Sequence, residues 1–105
     1  MMKEDQNRFK AKFFKALGDP VRLELLELLR EGEKCVCELV SQLRIPQPLV
    51  SRHLRILKEC GLVKARAFEN RRYYSVTDSR IFSVVDGVTQ DLRDSLYRIL
   101  IEQMA

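Results

Sequence analysis

VCELVSQLRIPQPLVSRHLRILKECG, residues 36–61, is the stretch that decides the fold. Val36, Leu39, Val40 and Leu43 recur at the i, i+3, i+4, i+7 spacing of one helix face. Arg44-Ile45-Pro46 ends that helix, because a residue before proline avoids helical geometry. A second helix runs from about Gln47 to Cys60 with Val50, Leu54 and Leu57 inward, and Gly61 stops it. Two short helices joined by a tight turn, the second rich in Arg and Ser, read as a helix-turn-helix.

Toward the N-terminus, Phe9, Phe13 and Leu17 mark a short amphipathic helix that Gly18 closes. Asp19 then caps a new helix with Pro20 at its first position. Val21, Leu25, Leu28 and Leu29 form its inner stripe, Leu23 and Leu26 widen it, and Gly32 closes it. Toward the C-terminus the period shortens. Residues 62–68 and 72–76 read as strands, with Glu69-Asn70-Arg71 as the turn and Asn70 suited to positive φ. A hairpin in this place is a wing. A last helix, about residues 78–103, carries Ile81, Val85, Val88, Leu92, Leu96 and Ile99 along one seam. A small domain cannot cover that seam alone, so the expected cover is the same helix of a second subunit. The predicted fold is mainly α with a small β-hairpin: a winged helix-turn-helix of about five helices and a two-stranded wing, with the last helix meeting its copy in a second subunit.

The 105 residues and 12.3 kDa suit a single domain, 1–105, and 46% apolar with 32% charged residues is an ordinary globular composition. No run approaches the roughly 18 apolar residues of a membrane span, and the start, MMKEDQNRFK, is polar. A cytoplasmic protein without a membrane partner is expected. In that compartment the three cysteines are expected as reduced thiols available for metal or redox chemistry.

The net charge of +4 is unevenly spread. Residues 1–43 hold eight basic and eight acidic side chains, residues 44–72 eight basic against two acidic, and residues 78–105 three basic against five acidic. A basic middle third is the footprint of a polyanion-binding surface. On a helical wheel Ser51, Arg52, Arg55 and Glu59 point away from the Val50/Leu54/Leu57 stripe, and Gln47 stands near the helix start. Arg suits guanine, Gln suits adenine, and Ser takes base or phosphate in a major groove. Arg66, Arg71 and Arg72 on the hairpin would reach flanking phosphates or the minor groove. His53, at the edge of the apolar stripe, is expected half-buried and hydrogen-bonded, with direct DNA contact as the alternative.

ALGDPVRLELLELL, CVCELVSQL and QPLVSRHLRILKECGLVKAR followed by YYSV, in order over roughly residues 9–100, resemble the ArsR/SmtB-type winged-helix repressors. The CVCEL motif is closest to the arsenical-resistance repressors of that family. The resemblance implies a homodimer, dimerising through the first and last helices, that binds a pseudo-palindromic operator and releases it when a metal ion or metalloid binds. It places Ser51, Arg52, His53 and Arg55 on the DNA-reading helix, and Arg71 and Arg72 on the wing. Two departures stand out. Pro46 replaces a common capping Ser, and Glu69-Asn70-Arg71 replaces a wing that usually carries glycine.

Cys35 and Cys37 fall about 100° to either side of the Val36/Leu39/Val40/Leu43 stripe, so core packing explains them poorly. Within a continuing helix i and i+2 lie about 200° apart; in extended backbone they share a side. Thiolates favour soft ions: As(III) or Sb(III) first, with Cd(II) or Pb(II) as the alternative. Capture of such an ion should unwind the start of the third helix and so disturb the recognition helix. By resemblance, Cys35 and Cys37 match the arsenite-sensing motif, while Val40 stands where some relatives have a third cysteine. Cys60, the remaining thiol, is the lesser ligand candidate, with a small core residue as its plainer reading. The last-helix zinc site of the family has no histidine here, its positions being Asp78, Arg80, Asp91 and Asp94. No cofactor is expected to be needed for DNA binding itself. An enzyme is disfavoured: there is no Gly-rich phosphate loop, and His53 is the only histidine. The stronger rival is a winged-helix repressor that senses thiol oxidation.

Overall fold

The computed structural model describes residues 2–104. Its order is α1 (Lys3–Leu17), α2 (Pro20–Leu28), a 3-10 turn (Leu29–Glu31), β1 (Lys34–Cys35), α3 (Val36–Leu43), α4 (Gln47–Glu59), β2 (Val63–Phe68), β3 (Arg71–Val76), α5 (Arg80–Asp86) and α6 (Gln90–Met104). This is the expected winged helix-turn-helix, mainly helical with a small antiparallel sheet.

The junctions follow from local chemistry. Asp19 Oδ1 accepts from the amides of Val21 (2.8 Å) and Arg22 (3.1 Å), and Pro20 occupies the first helical position. Burial pushes the Asp19 carboxyl up, but those amide bonds outweigh it and hold the carboxyl below its ordinary value. Arg22 folds back to the carbonyls of Ala16 (2.6 Å) and Lys15 (3.3 Å), tying α1 to α2. Arg44 leaves α3 in the left-handed region (φ 58°), and the chain re-enters a helix at Gln47. Leu25, Leu26, Leu29, Leu39, Val50, Leu54 and Leu57 interlock where α2, α3 and α4 meet, each almost wholly buried. That core fixes α4 against α3 and leaves its Arg-rich face outward.

The wing turns tightly. Phe68 pairs with Arg71, so Glu69 (φ 48°) and Asn70 (φ 65°) alone make the corner, as a type I′ geometry demands. Asn adopts that conformation at less cost than Glu. Glu69→Asn should therefore raise stability by roughly 0.5–1 kcal/mol, seen as a higher denaturant midpoint at unchanged slope. A lower midpoint would mean that the Glu69 side chain itself holds the wing.

Two local features depart from expectation. The hairpin gains a third strand: β1 pairs antiparallel with β3, Lys34 opposite Tyr74 and Cys35 opposite Tyr73, giving the order β1-β3-β2. The long last helix is divided. α5 stops at Asp86, Gly87 follows, and α6 starts after Thr89, whose Oγ1 accepts from the Leu92 amide at 3.1 Å. A helix-weakening glycine followed by a capping threonine restarts the chain while the apolar spacing continues. No α6 residue is buried, and Leu92, Leu96, Ile99 and Leu100 stand 43–52% exposed. Among the described residues, no helix is long and apolar enough to cross a membrane.

Candidate functional site

An open cleft of about 960 Å³ lies between the start of α3, the outer face of α4 and the wing. Gln47, Ser51, Arg52 and Arg55 line it from α4, and Arg71 and Arg72 from the hairpin. Cys35 and Cys37 line the same cleft. Eight of the eleven residues singled out for DNA or metal binding are thus brought together, the others being His53, Arg66 and Cys60. Lys58, one turn beyond Arg55, belongs to this lining and was passed over in sequence, although the i+3 spacing from Arg55 places it on the same face. Asn70 joins it from the corner of the wing. Arg55 lies 3.8 Å from Glu59, whereas Arg52, Lys58, Arg71 and Arg72 have no carboxylate partner among the described residues. Exposed, uncompensated guanidinium and ammonium groups on both walls make the cleft a strong anion attractor.

Arg66 and His53 lie elsewhere. Arg66 donates a two-pronged pair of bonds to Glu33 (2.8 and 2.7 Å) and lies over the Tyr73 ring at 5.2 Å. Strand alternation is the reason: Arg66 sits opposite Tyr73, on the other face of the hairpin from Ala67 and Arg72. The Arg66 bond holds the Glu33 carboxyl below its ordinary value. His53 turns inward, with Nδ1 3.2 Å from Arg22 Nη1 and 3.9 Å from Asp19 Oδ1. A guanidinium can only donate, so Nδ1 accepts. The histidine therefore pins α4 to the start of α2, in line with its half-buried reading.

Cys35 is not off the core, as the helical wheel suggested: it is 2% exposed. The wheel does not apply, because Cys35 precedes the helix in extended backbone (φ −77°, ψ 156°) as the N-cap of α3. Its Sγ accepts from the Glu38 amide at 3.3 Å, and Glu38 Oε1 accepts from the Cys35 amide at 3.2 Å, a reciprocal capping box. Cys37 is exposed in the first turn. One residue in extended backbone and one in the helix bring both sulfurs to the same side, so no unwinding is needed for them to meet. They are joined here as a disulfide, Cα–Cα 5.3 Å, where reduced thiols were expected. Once reduced, the pair could present two sulfurs to one soft ion, that of Cys35 buried and that of Cys37 exposed. Among the described residues no cluster of three His, Cys, Asp or Glu could hold a metal ion. Cys60 lines a separate cavity of about 270 Å³ with Phe9, Phe13 and Ile81, apart from the Cys35/Cys37 pair of its own chain.

A recognition helix packed on its partner, a wing beside it and a cationic cleft between them define a winged helix-turn-helix DNA-binding protein. Residues 19–65 match the family model described as bacterial regulatory protein, arsR family. The chain is 46% identical over 81 residues to an uncharacterized HTH-type transcriptional regulator of Methanocaldococcus jannaschii, covering 76% of this chain and 91% of that one. It is 38% identical to the transcriptional repressor SmtB homolog of Synechocystis, over 90% of this chain and 72% of that one. It is 40% identical to an arsenical resistance operon repressor of Staphylococcus xylosus, over 74% and 71%. Among solved structures, a homodimeric winged helix-turn-helix DNA-binding domain from Mycobacterium bovis, a possible ArsR-family regulator, superposes with TM-score 0.75 at 32% identity over 82% of each chain. The chain belongs to the arsR family of helix-turn-helix regulators, a family of transcription factors and not of enzymes.

Proposed function

We propose that this protein is a homodimeric transcriptional repressor that binds a pseudo-palindromic operator and leaves it when Cys35 and Cys37 capture trivalent arsenic or antimony. The observation that carries this reading is the shared cleft, which holds both cysteines and the α4 and wing cations. In the operator complex Gln47, Ser51, Arg52 and Arg55 face the major groove, while Arg71 and Arg72 meet flanking phosphates. A second copy covers the exposed apolar surface of α6 together with α1, where Phe9 is 59% exposed.

Release follows from what Cys35 holds. Its sulfur caps α3, its backbone pairs with the wing strand β3, and α3 supports α4. An ion on Cys35 Sγ competes with the Glu38 amide for the sulfur lone pairs and weakens the capping box. Both DNA-contacting elements are joined to that point. Linkage requires operator binding to weaken ion capture by the same factor.

Counting reactive thiols tests the site directly. The reduced protein should show three by Ellman's reagent, falling to one with stoichiometric arsenite, the survivor being Cys60. Three thiols still reactive in excess arsenite would refute the chelate. Operator affinity should also fall steeply with salt, by roughly a thousandfold or more between 50 and 200 mM, because a dimer with about six to ten phosphate contacts releases many counterions. A flat dependence would remove the cleft from DNA binding.

The disulfide favours one further reading, control by thiol oxidation. Under it, hydroperoxide would release the operator and dithiothreitol would restore binding, with arsenite inert toward the complex.

A further inference from the structure

A trivalent metalloid held by Cys35 and Cys37 has one position left, and the surroundings say what fills it. The described residues offer no third thiolate there, since Cys60 lines another cavity. Cys37 is exposed and opens onto a cleft of about 960 Å³, large enough for a tripeptide-sized molecule. Its walls carry Arg52, Lys58, Arg71 and Arg72, all without a carboxylate partner among the described residues. We propose that this cleft is a binding site for a low-molecular-weight anionic thiol, which supplies the third sulfur while its carboxylates pair with the cleft arginines. The proposal rests on the metalloid reading above and adds the co-ligand.

The chemistry balances. Two equivalents of the thiol reduce the Cys35–Cys37 disulfide, yielding two protein thiols and the small-molecule disulfide. Arsenous acid then condenses with the two protein thiols, forming two As–S bonds and releasing two waters. The third hydroxyl leaves as water when the small thiol adds its sulfur. No electrons move after the first step. The bound anion occupies cations that otherwise meet DNA phosphate, so the ternary complex blocks the operator surface as well as loosening the α3 cap.

The test is arsenite binding without DNA, followed by thiolate–arsenic ultraviolet absorption on protein reduced and desalted anaerobically. Glutathione should lower the arsenite midpoint roughly two- to fivefold further than neutral mercaptoethanol, the size of one exposed ion pair, and cationic cysteamine should help least. S-methylglutathione, which keeps the carboxylates but has no free thiol, should leave the midpoint unchanged. The exposed substitution Arg72→Gln, alone and with Arg71→Gln, should erase the advantage of glutathione and leave the mercaptoethanol midpoint in place. Equal midpoints with all three thiols would overturn the co-ligand site while keeping the chelate. Absence of arsenic–sulfur absorption with every thiol would overturn the chelate and this proposal together.

Discussion

Cys35→Ser and Cys37→Ser should each abolish release of the operator by arsenite and leave operator affinity within about twofold of the parent. The structure makes this a clean experiment. Cys35 is buried and caps α3, which would ordinarily make substitution hazardous, but serine is a better N-cap than cysteine and nearly the same size. Its hydroxyl can accept from the Glu38 amide as the thiol does, so α3 and its pairing with the wing should persist. Cys37 is exposed, and its replacement removes no buried surface. Neither serine can bind a soft ion as a thiolate does. Operator titration with and without arsenite reads the result. A serine variant released as readily as the parent would move the effector elsewhere, whereas a variant that no longer binds operator would give these cysteines a structural role.

Leu96→Glu should give the second large effect, conversion of a dimer to a monomer of about 12.3 kDa with loss of specific operator binding. Leu96 is 51% exposed in the isolated chain, so a glutamate there removes little intramolecular packing, and the thermal midpoint of the monomer should change little. In a dimer the same position would be desolvated, and a pair of carboxylates facing one another cannot be accommodated without loss of association. A monomer reads one half-site. Its affinity should approach the non-specific level, a drop on the order of a hundredfold or more. Sedimentation equilibrium on both proteins, with operator titration in parallel, decides the point. A parent that sediments as a monomer would contradict the dimer, and a dimeric Leu96→Glu would place the interface away from this stripe.

Much of this molecule was legible where residues impose their own geometry. Asp19-Pro20 had to begin a helix, Arg44-Ile45-Pro46 had to end one, and Glu69-Asn70-Arg71 was read as the wing's turn, which the structure shortens to Glu69-Asn70 because Arg71 pairs with Phe68. The missed features lie where local signals compete or are too short. A strand of two residues has no period to detect, so β1 emerges only from its pairing with β3. The division between α5 and α6 was hidden because Val85, Val88 and Leu92 keep helical spacing through it. For the site, a wheel drawn through Cys35 treated an N-cap as a helical residue and so misjudged its burial. Arg66 was grouped with Arg72 by charge, while alternation along the strand puts them on opposite faces and gives Arg66 to Glu33. Gln47, Ser51, Arg52 and Arg55 line one cleft, as their shared helical period suggested.

The central claim is that one cleft serves both DNA and the metalloid. Fluorescence anisotropy of the chain's own upstream promoter, bound by reduced protein and titrated with arsenite, tests it most directly. Release near stoichiometric arsenite, accompanied by shielding of two thiols, is the predicted result. A complex that keeps its anisotropy while arsenite occupies both cysteines would contradict it.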